Sequence, residues 1–236
     1  MSHPVALLLA HANGHAASLS VSSGALVADD PFAAGRGTAF IDDHGFAAGV
    51  VTLSGRRDVA SHPVTEMLVL HRGALTFTSN DQTLQLAPGD SLVIGRGTAF
   101  SVNASADSLW AWCGTTQPGD APWQPGLTAL DRYAHLTPSA APDAQILVGP
   151  APQCRAQGLF EEGTLRIGVW DSTPYERGSR GHLCHELMHV IEGQVTLRLS
   201  DSEDLVVNAG DTVFVPKGTG CAWVSGVYVR KFYAVV

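Results

Sequence analysis

Side chains that bind metals or move protons crowd one short stretch of this chain: His182, Cys184, His185 and Glu186, with Arg180 just before them and Cys221 further on. An imidazole and a carboxylate converging on one pocket suit a divalent first-row metal such as Mn, Fe, Ni or Zn. Cys221 extends that donor set as a thiolate, and His185 does so if the backbone bulges there. Without a metal, the same His182–Glu186 pair would bond to itself or to water. Arg180 offers no lone pair. Its guanidinium fork suits a carboxylate or another anion, the competing reading being an ion pair with Glu186 or Glu162.

The pattern occurs twice. His62-x3-Glu66-x6-Gly73 followed by Pro88-Gly89-Asp90-x4-Gly95-Arg96-Gly97 returns as His182-x3-Glu186-x6-Gly193 followed by Ala209-Gly210-Asp211-x4-Pro216-Lys217-Gly218, offset by 120 residues in the first block and 121 in the second. Such self-similarity signals an internal duplication. The first copy is poorer: Ala60 stands at the place of Arg180, and Phe100 fills a position where a donor would be needed. His62 and Glu66 are therefore expected to be remnants on a scaffold.

The elements that position these residues are short. Runs such as Phe46 to Leu53, Glu66 to Leu70, Leu165 to Trp170, Glu186 to Ile191 and Thr212 to Val215 are rich in β-branched and aromatic residues and are punctuated by Gly, Pro, Asn and Asp. That rhythm predicts antiparallel β-structure in two domains, for which 236 residues suffice. The expected divisions are an irregular N-terminal arm over 1–22, an N-terminal barrel over 23–115, a Pro-rich linker over 116–152 that includes Pro118 and one short helix over Leu127 to Leu136, and a C-terminal barrel over 153–236. If His182, Cys184 and Glu186 share a strand, alternation turns all of them inward and His189 outward. Lys231 and Tyr233 share a face by the same rule, and Trp223 is expected at the barrel rim.

The two motifs resemble those of the cupin superfamily. Arg180-Gly-His182-x3-Glu186-x6-Gly193 and Gly210-x5-Pro216-x-Gly218-x2-Cys221 follow its frame, and Trp223 with Arg230-Lys231-Phe-Tyr233 is similar to the subgroup of ureidoglycine aminohydrolase and the ethanolamine-utilisation cupins. The resemblance implies an all-β fold of two tandem cupin barrels, each a double-stranded β-helix or jelly roll. It also implies metal ligands at 180, 182, 186 and 221, of which 180 and 221 depart from the family's histidines. The metal is then expected, if present, in the C-terminal barrel on His182, Glu186, Cys221 and His185.

Composition narrows the partners. A net charge of -8 with no Lys/Arg cluster gives no footprint for nucleic acid or an anionic membrane. The apolar run Val5 to Ala10 is too short to span a bilayer, and four cysteines without C-x2-C spacing are expected as free thiols in a cytoplasmic protein. The C-terminal barrel is expected to act on or bind a small anionic or amide-bearing metabolite through Arg180, Lys231 and Tyr233. A non-catalytic binding or structural module, as a homodimer paired through strand edges, is the alternative.

Overall fold

The computed structural model describes residues 5–80, 82–117, 122, 124–200 and 202–236, and every regular element among them is a strand. Two compact units emerge, one comprising Leu9–Asp131 and Phe160–Leu165, the other Met1–Leu8, Arg132–Leu159 and Arg166–Val236.

The N-terminal unit is built on one nine-stranded sheet. Its longest strand, Phe100–Thr115, pairs with Thr65–Arg72 through Leu109 to Thr115 and with Leu75–Ser79 through Ser101 to Ala104. Between those partners lies Asp107 at φ 54, a left-handed kink that lets one strand serve two faces. The core between them holds Trp110, Trp112, Phe77, Leu68 and Val102, all fully buried.

The strands of the C-terminal unit belong to two further sheets. The seven-stranded sheet runs Leu7–Ala10, Thr212–Val215, Glu186–Glu192, Val229–Val235, Leu165–Ser172, Cys154–Glu162, Thr137–Ser139; the five-stranded sheet runs Leu147–Val148, Tyr175–Gly181, Gly220–Ser225, Gln194–Leu199, Leu205–Asn208. Along Gly220–Ser225 every second residue is buried, so Cys221, Trp223 and Ser225 face inward. Cys221 and Trp223 meet Met188, Val190 and Val229 from the other sheet. Burying each such large apolar side chain stabilises the unit by roughly 1.5–3 kcal/mol.

The same backbone hydrogen bonds recur at the repeated motifs of the two units. The N–H of Gly97 donates to the carbonyl of His62 and that of Gly218 to His182, each across 2.8 Å. Gly89 donates to Leu70 as Gly210 does to Val190, each across 2.7 Å. Gly97 and Gly218 hold φ of 84° and 85°, a region that disfavours any side chain. The second motif's turn thus fastens the histidine of the first.

Three sequence expectations change. Within the arm expected to be irregular, Leu7–Ala10 forms a strand, with Leu9 and Ala10 fully buried. The helix expected over Leu127 to Leu136 is instead the strand Leu127–Leu130, paired with Ser91–Ile94; its apolar positions satisfy either period. The Pro-rich stretch is not merely a connection, because Thr137–Ser139 pairs with Cys154–Glu162 and Leu147–Val148 with Tyr175–Gly181. Both are outermost strands, where a proline's missing N–H is tolerated. Pro118 lies outside the described residues.

Candidate functional site

His182 to His185 is not strand but the bend between Tyr175–Gly181 and Glu186–Glu192. The shared-strand argument therefore fails, yet the pair meets: His182 Nε2 lies 2.9 Å from Glu186 Oε2. The other carboxylate oxygen, Oε1, accepts a 2.7 Å bond from Lys231 Nζ, which also lies 2.9 Å from Met188 Sδ. The ammonium stands 5.0 Å from the Trp170 ring and 5.1 Å from that of Trp223, within cation–π range. Trp223 is therefore not at the rim; it is buried, stacked on Tyr175 and edge-on to Trp170, with its indole N–H on Ser225 Oγ.

Electrostatics follow from these contacts. Burial works against charge on His182, but hydrogen bonds to Cys184, Cys221 and Glu186 outweigh it and raise the imidazole to about 11. Burial alone would raise Glu186; Lys231 and then His182 hold its carboxyl well below the usual range. Cys221 is lowered, burial being outweighed by the His182 hydrogen bond and the charge of Arg177. Arg177, which sequence reasoning passed over, is buried and donates to the Cys221 carbonyl across 2.8 Å, with Nη2 at 3.9 Å from Sγ.

The remaining expected residues separate. His185 accepts from the Lys217 N–H at 3.1 Å and stacks on Phe214, so it does not join Glu186. His189 turns to Thr212 Oγ1 and Phe232. Arg180 lies opposite Cys221 in the strand register, partly buried, with its Nε lacking a hydrogen-bond partner. Lys231 and Tyr233, by contrast, face a cavity of about 360 Å³ together with Ser139, Ala140, Ala156, Trp170 and Glu186. Ser139 and Ala140 come from the stretch expected to be linker, and only its Pro content was visible in the sequence. Burial, then Glu186, keeps the Tyr233 phenol neutral by raising it.

A divalent metal does not fit these donors. Among the described residues no three His, Cys, Asp or Glu side chains are grouped to hold one. Both oxygens of Glu186 are engaged, and an ammonium already lies against one of them. A second cation there would be repelled by that ammonium.

The N-terminal unit repeats the arrangement with different residues. Glu66 Oε2 accepts from Arg36 Nη2 at 2.8 Å; Arg36 also binds Asp30 at 2.6 and 3.2 Å, and lies 4.2 Å over the Trp112 ring. His62 packs between Phe32 and Phe100, at 5.9 and 5.7 Å, and is fully buried. Phe100 also packs on Phe77, at 5.5 Å between ring centroids. Arg36 and Asp30 lie outside both motifs, so no spacing pointed to them.

Comparison with known proteins supplies the context. The family model described as an EutQ-like cupin domain matches residues 159–233. A solved DUF861-family protein of unknown function from Pseudomonas syringae pv. tomato is 52% identical, covers 99% of this chain and 100% of its own, and superposes with a TM-score of 0.95. Lower similarity joins the chain to a cupin 2 conserved barrel domain protein from Leptotrichia buccalis (11% identity, 84% and 86% coverage, TM-score 0.59) and to the DUF861 protein Ylba from E. coli (14%, 100% and 93%, 0.54). These two speak for the fold alone. No curated protein matches the chain. Among the described residues no helix is long and apolar enough to cross a membrane.

Proposed function

This chain belongs to the DUF861 family of cupins, and we propose that it is a bicupin whose C-terminal barrel binds a small polar metabolite, anionic or amide-bearing. The supporting observation is the cavity of about 360 Å³ on whose wall Lys231, Glu186 and Tyr233 stand beside Trp170. A concave site with an apolar wall and a few convergent polar groups is the form small-molecule sites take, and its volume lies within their usual range of roughly 300–1,000 Å³. Lys231 and Tyr233 are its polar contacts. Arg180, which does not line this cavity, is not.

The EutQ-like match over the C-terminal residues favours the ethanolamine-utilisation side of the expected kinship. A nitrogen-bearing substrate, as kinship with ureidoglycine aminohydrolase would suggest, is included in the ligand class proposed. Binding is the claim; the donors present do not compose a metal centre that would activate water.

The test is a panel of small carboxylates, ureides and amides followed by thermal shift and by intrinsic fluorescence, because Trp170 on the cavity wall reports occupancy. At least one compound should raise the melting temperature and change the emission. Silence across the panel would leave the barrel a structural module.

A further inference from the structure

We infer that Lys231 occupies the place of a metal ion in the C-terminal barrel, and that a small carboxylate binds directly to its ammonium and to the hydroxyls of Tyr233 and Ser139. This rests on reading the barrel as a small-molecule site and names the chemistry that the site selects.

The geometry carries the argument in two steps. The first concerns the cation. Each motif glutamate is bonded to a basic side chain of its own unit that lies against tryptophan: Glu66 to Arg36 over Trp112, and Glu186 to Lys231 beside Trp170 and Trp223. The two cations are not equivalent in sequence. Lys231 pairs with Val190 in the register where Trp110 pairs with Leu70. Two different residues thus meet one requirement, a positive charge against the glutamate. In the N-terminal unit the guanidinium is fully enclosed and held by two carboxylates. In the C-terminal unit the ammonium has one carboxylate partner shared with His182, and it faces a cavity.

The second step concerns what the cavity lacks. An ammonium carries three N–H donors. Glu186 Oε1 and Met188 Sδ take two, and Lys231 is itself a residue of the cavity wall. Ser139 belongs to the same wall, and its Oγ is buried without a hydrogen-bond partner, a state that native structures rarely leave unanswered. Tyr233 adds its hydroxyl. Its ring is accommodated by Gly168, where a Cβ would come within 2.8 Å of the phenol oxygen. Among the described residues Glu186 is the one carboxylate on this wall, and both its oxygens are engaged. The wall therefore offers donors to a guest, and an anionic oxygen pair answers them best. An amide would bring an N–H2 group that the ammonium cannot accept. Trp170 supplies a flat apolar surface for the body of the guest.

Benzoate and benzamide, which share a shape and differ in charge, test this with chelator-stripped protein in titration calorimetry. Benzoate should bind without metal and about tenfold or more tighter than benzamide, the ratio expected for one charge-assisted contact. Lys231→Met should reduce benzoate affinity by a similar factor. Ser139→Ala, a milder change, should weaken it several-fold, which keeps the inference testable if the lysine variant folds poorly. Incubation with Mn, Ni or Zn salts followed by desalting and elemental analysis should leave substoichiometric metal. Benzoate binding that requires added metal would overturn the inference. Equal binding of benzamide would overturn the carboxylate assignment while leaving the small-molecule reading intact. Failure of both probes and of the wider panel would end both.

Discussion

The N–H of Gly218 donates to the carbonyl of His182 across 2.8 Å, as Gly97 does to His62 at the same distance. The bond explains why a glycine stands at a fixed spacing after the second motif: only a residue free to adopt φ near 85° turns its N–H back onto the histidine. Gly218→Ala should lose about 1–2 kcal/mol, the order of the left-handed penalty for a side chain. Urea denaturation measures it. An unchanged midpoint would mean that the turn relaxes and the histidine needs no fastening.

Lys231 and Glu186, largely buried and 2.7 Å apart, should behave as one unit. Lys231→Met leaves the carboxylate with His182 alone, and Glu186→Met leaves an ammonium without its counter-charge; each should destabilise by about 3 kcal/mol. The double variant should cost at least about 1 kcal/mol less than the sum, as contacting residues do. Strict additivity in denaturation experiments would show that the pair is not coupled.

These two relationships differ in how far the sequence disclosed them. The turn was legible, because repeated spacing marks Gly97 and Gly218 without any knowledge of the fold. The ion pair was half legible: alternation put Lys231 and Tyr233 on one face, but which face is the cavity depends on the register of Val229–Val235 against Glu186–Glu192, which shifts between Val190 and Glu192. Arg36 was illegible, since its partners Asp30 and Glu66 meet it only in three dimensions. Ser139 was hidden for another reason. A Pro-rich stretch says that ladder bonds are few, not that none form, and Pro138 pairs opposite Arg155 at the sheet's end.

His62 predicts a pH dependence of stability. Burial, then the charge of Arg36, push its imidazole down to about 3, with Arg96 acting in the same sense and Asp30 against it. The unfolded chain titrates near 6.5. Between these values the unfolded state binds the extra proton, so stability conferred by a neutral His62 is full above about 6.5 and is lost as pH falls toward 3. Replacing it by His62→Phe, in a site already walled by Phe32 and Phe100, removes that proton uptake. The variant should gain on wild type by up to about 1.4 kcal/mol per pH unit between pH 6 and 4. Parallel stability curves over that range would refute the buried neutral histidine.

The cavity itself can be closed from a position that the fold does not depend on. Ala140 lines it, yet the residue is exposed and follows the end of the strand Thr137–Ser139. Surface substitutions of this kind usually change stability by no more than about 0.5 kcal/mol. An indole at that position would add bulk to the wall that Ala140 shares with Ser139, Ala156 and Lys231. Ala140→Trp should therefore melt like wild type while losing the response to whichever compound the panel identifies. The two readouts separate a blocked site from a damaged one: lost binding with lost stability would point to misfolding, and wild-type binding in a well-folded variant would place the ligand elsewhere.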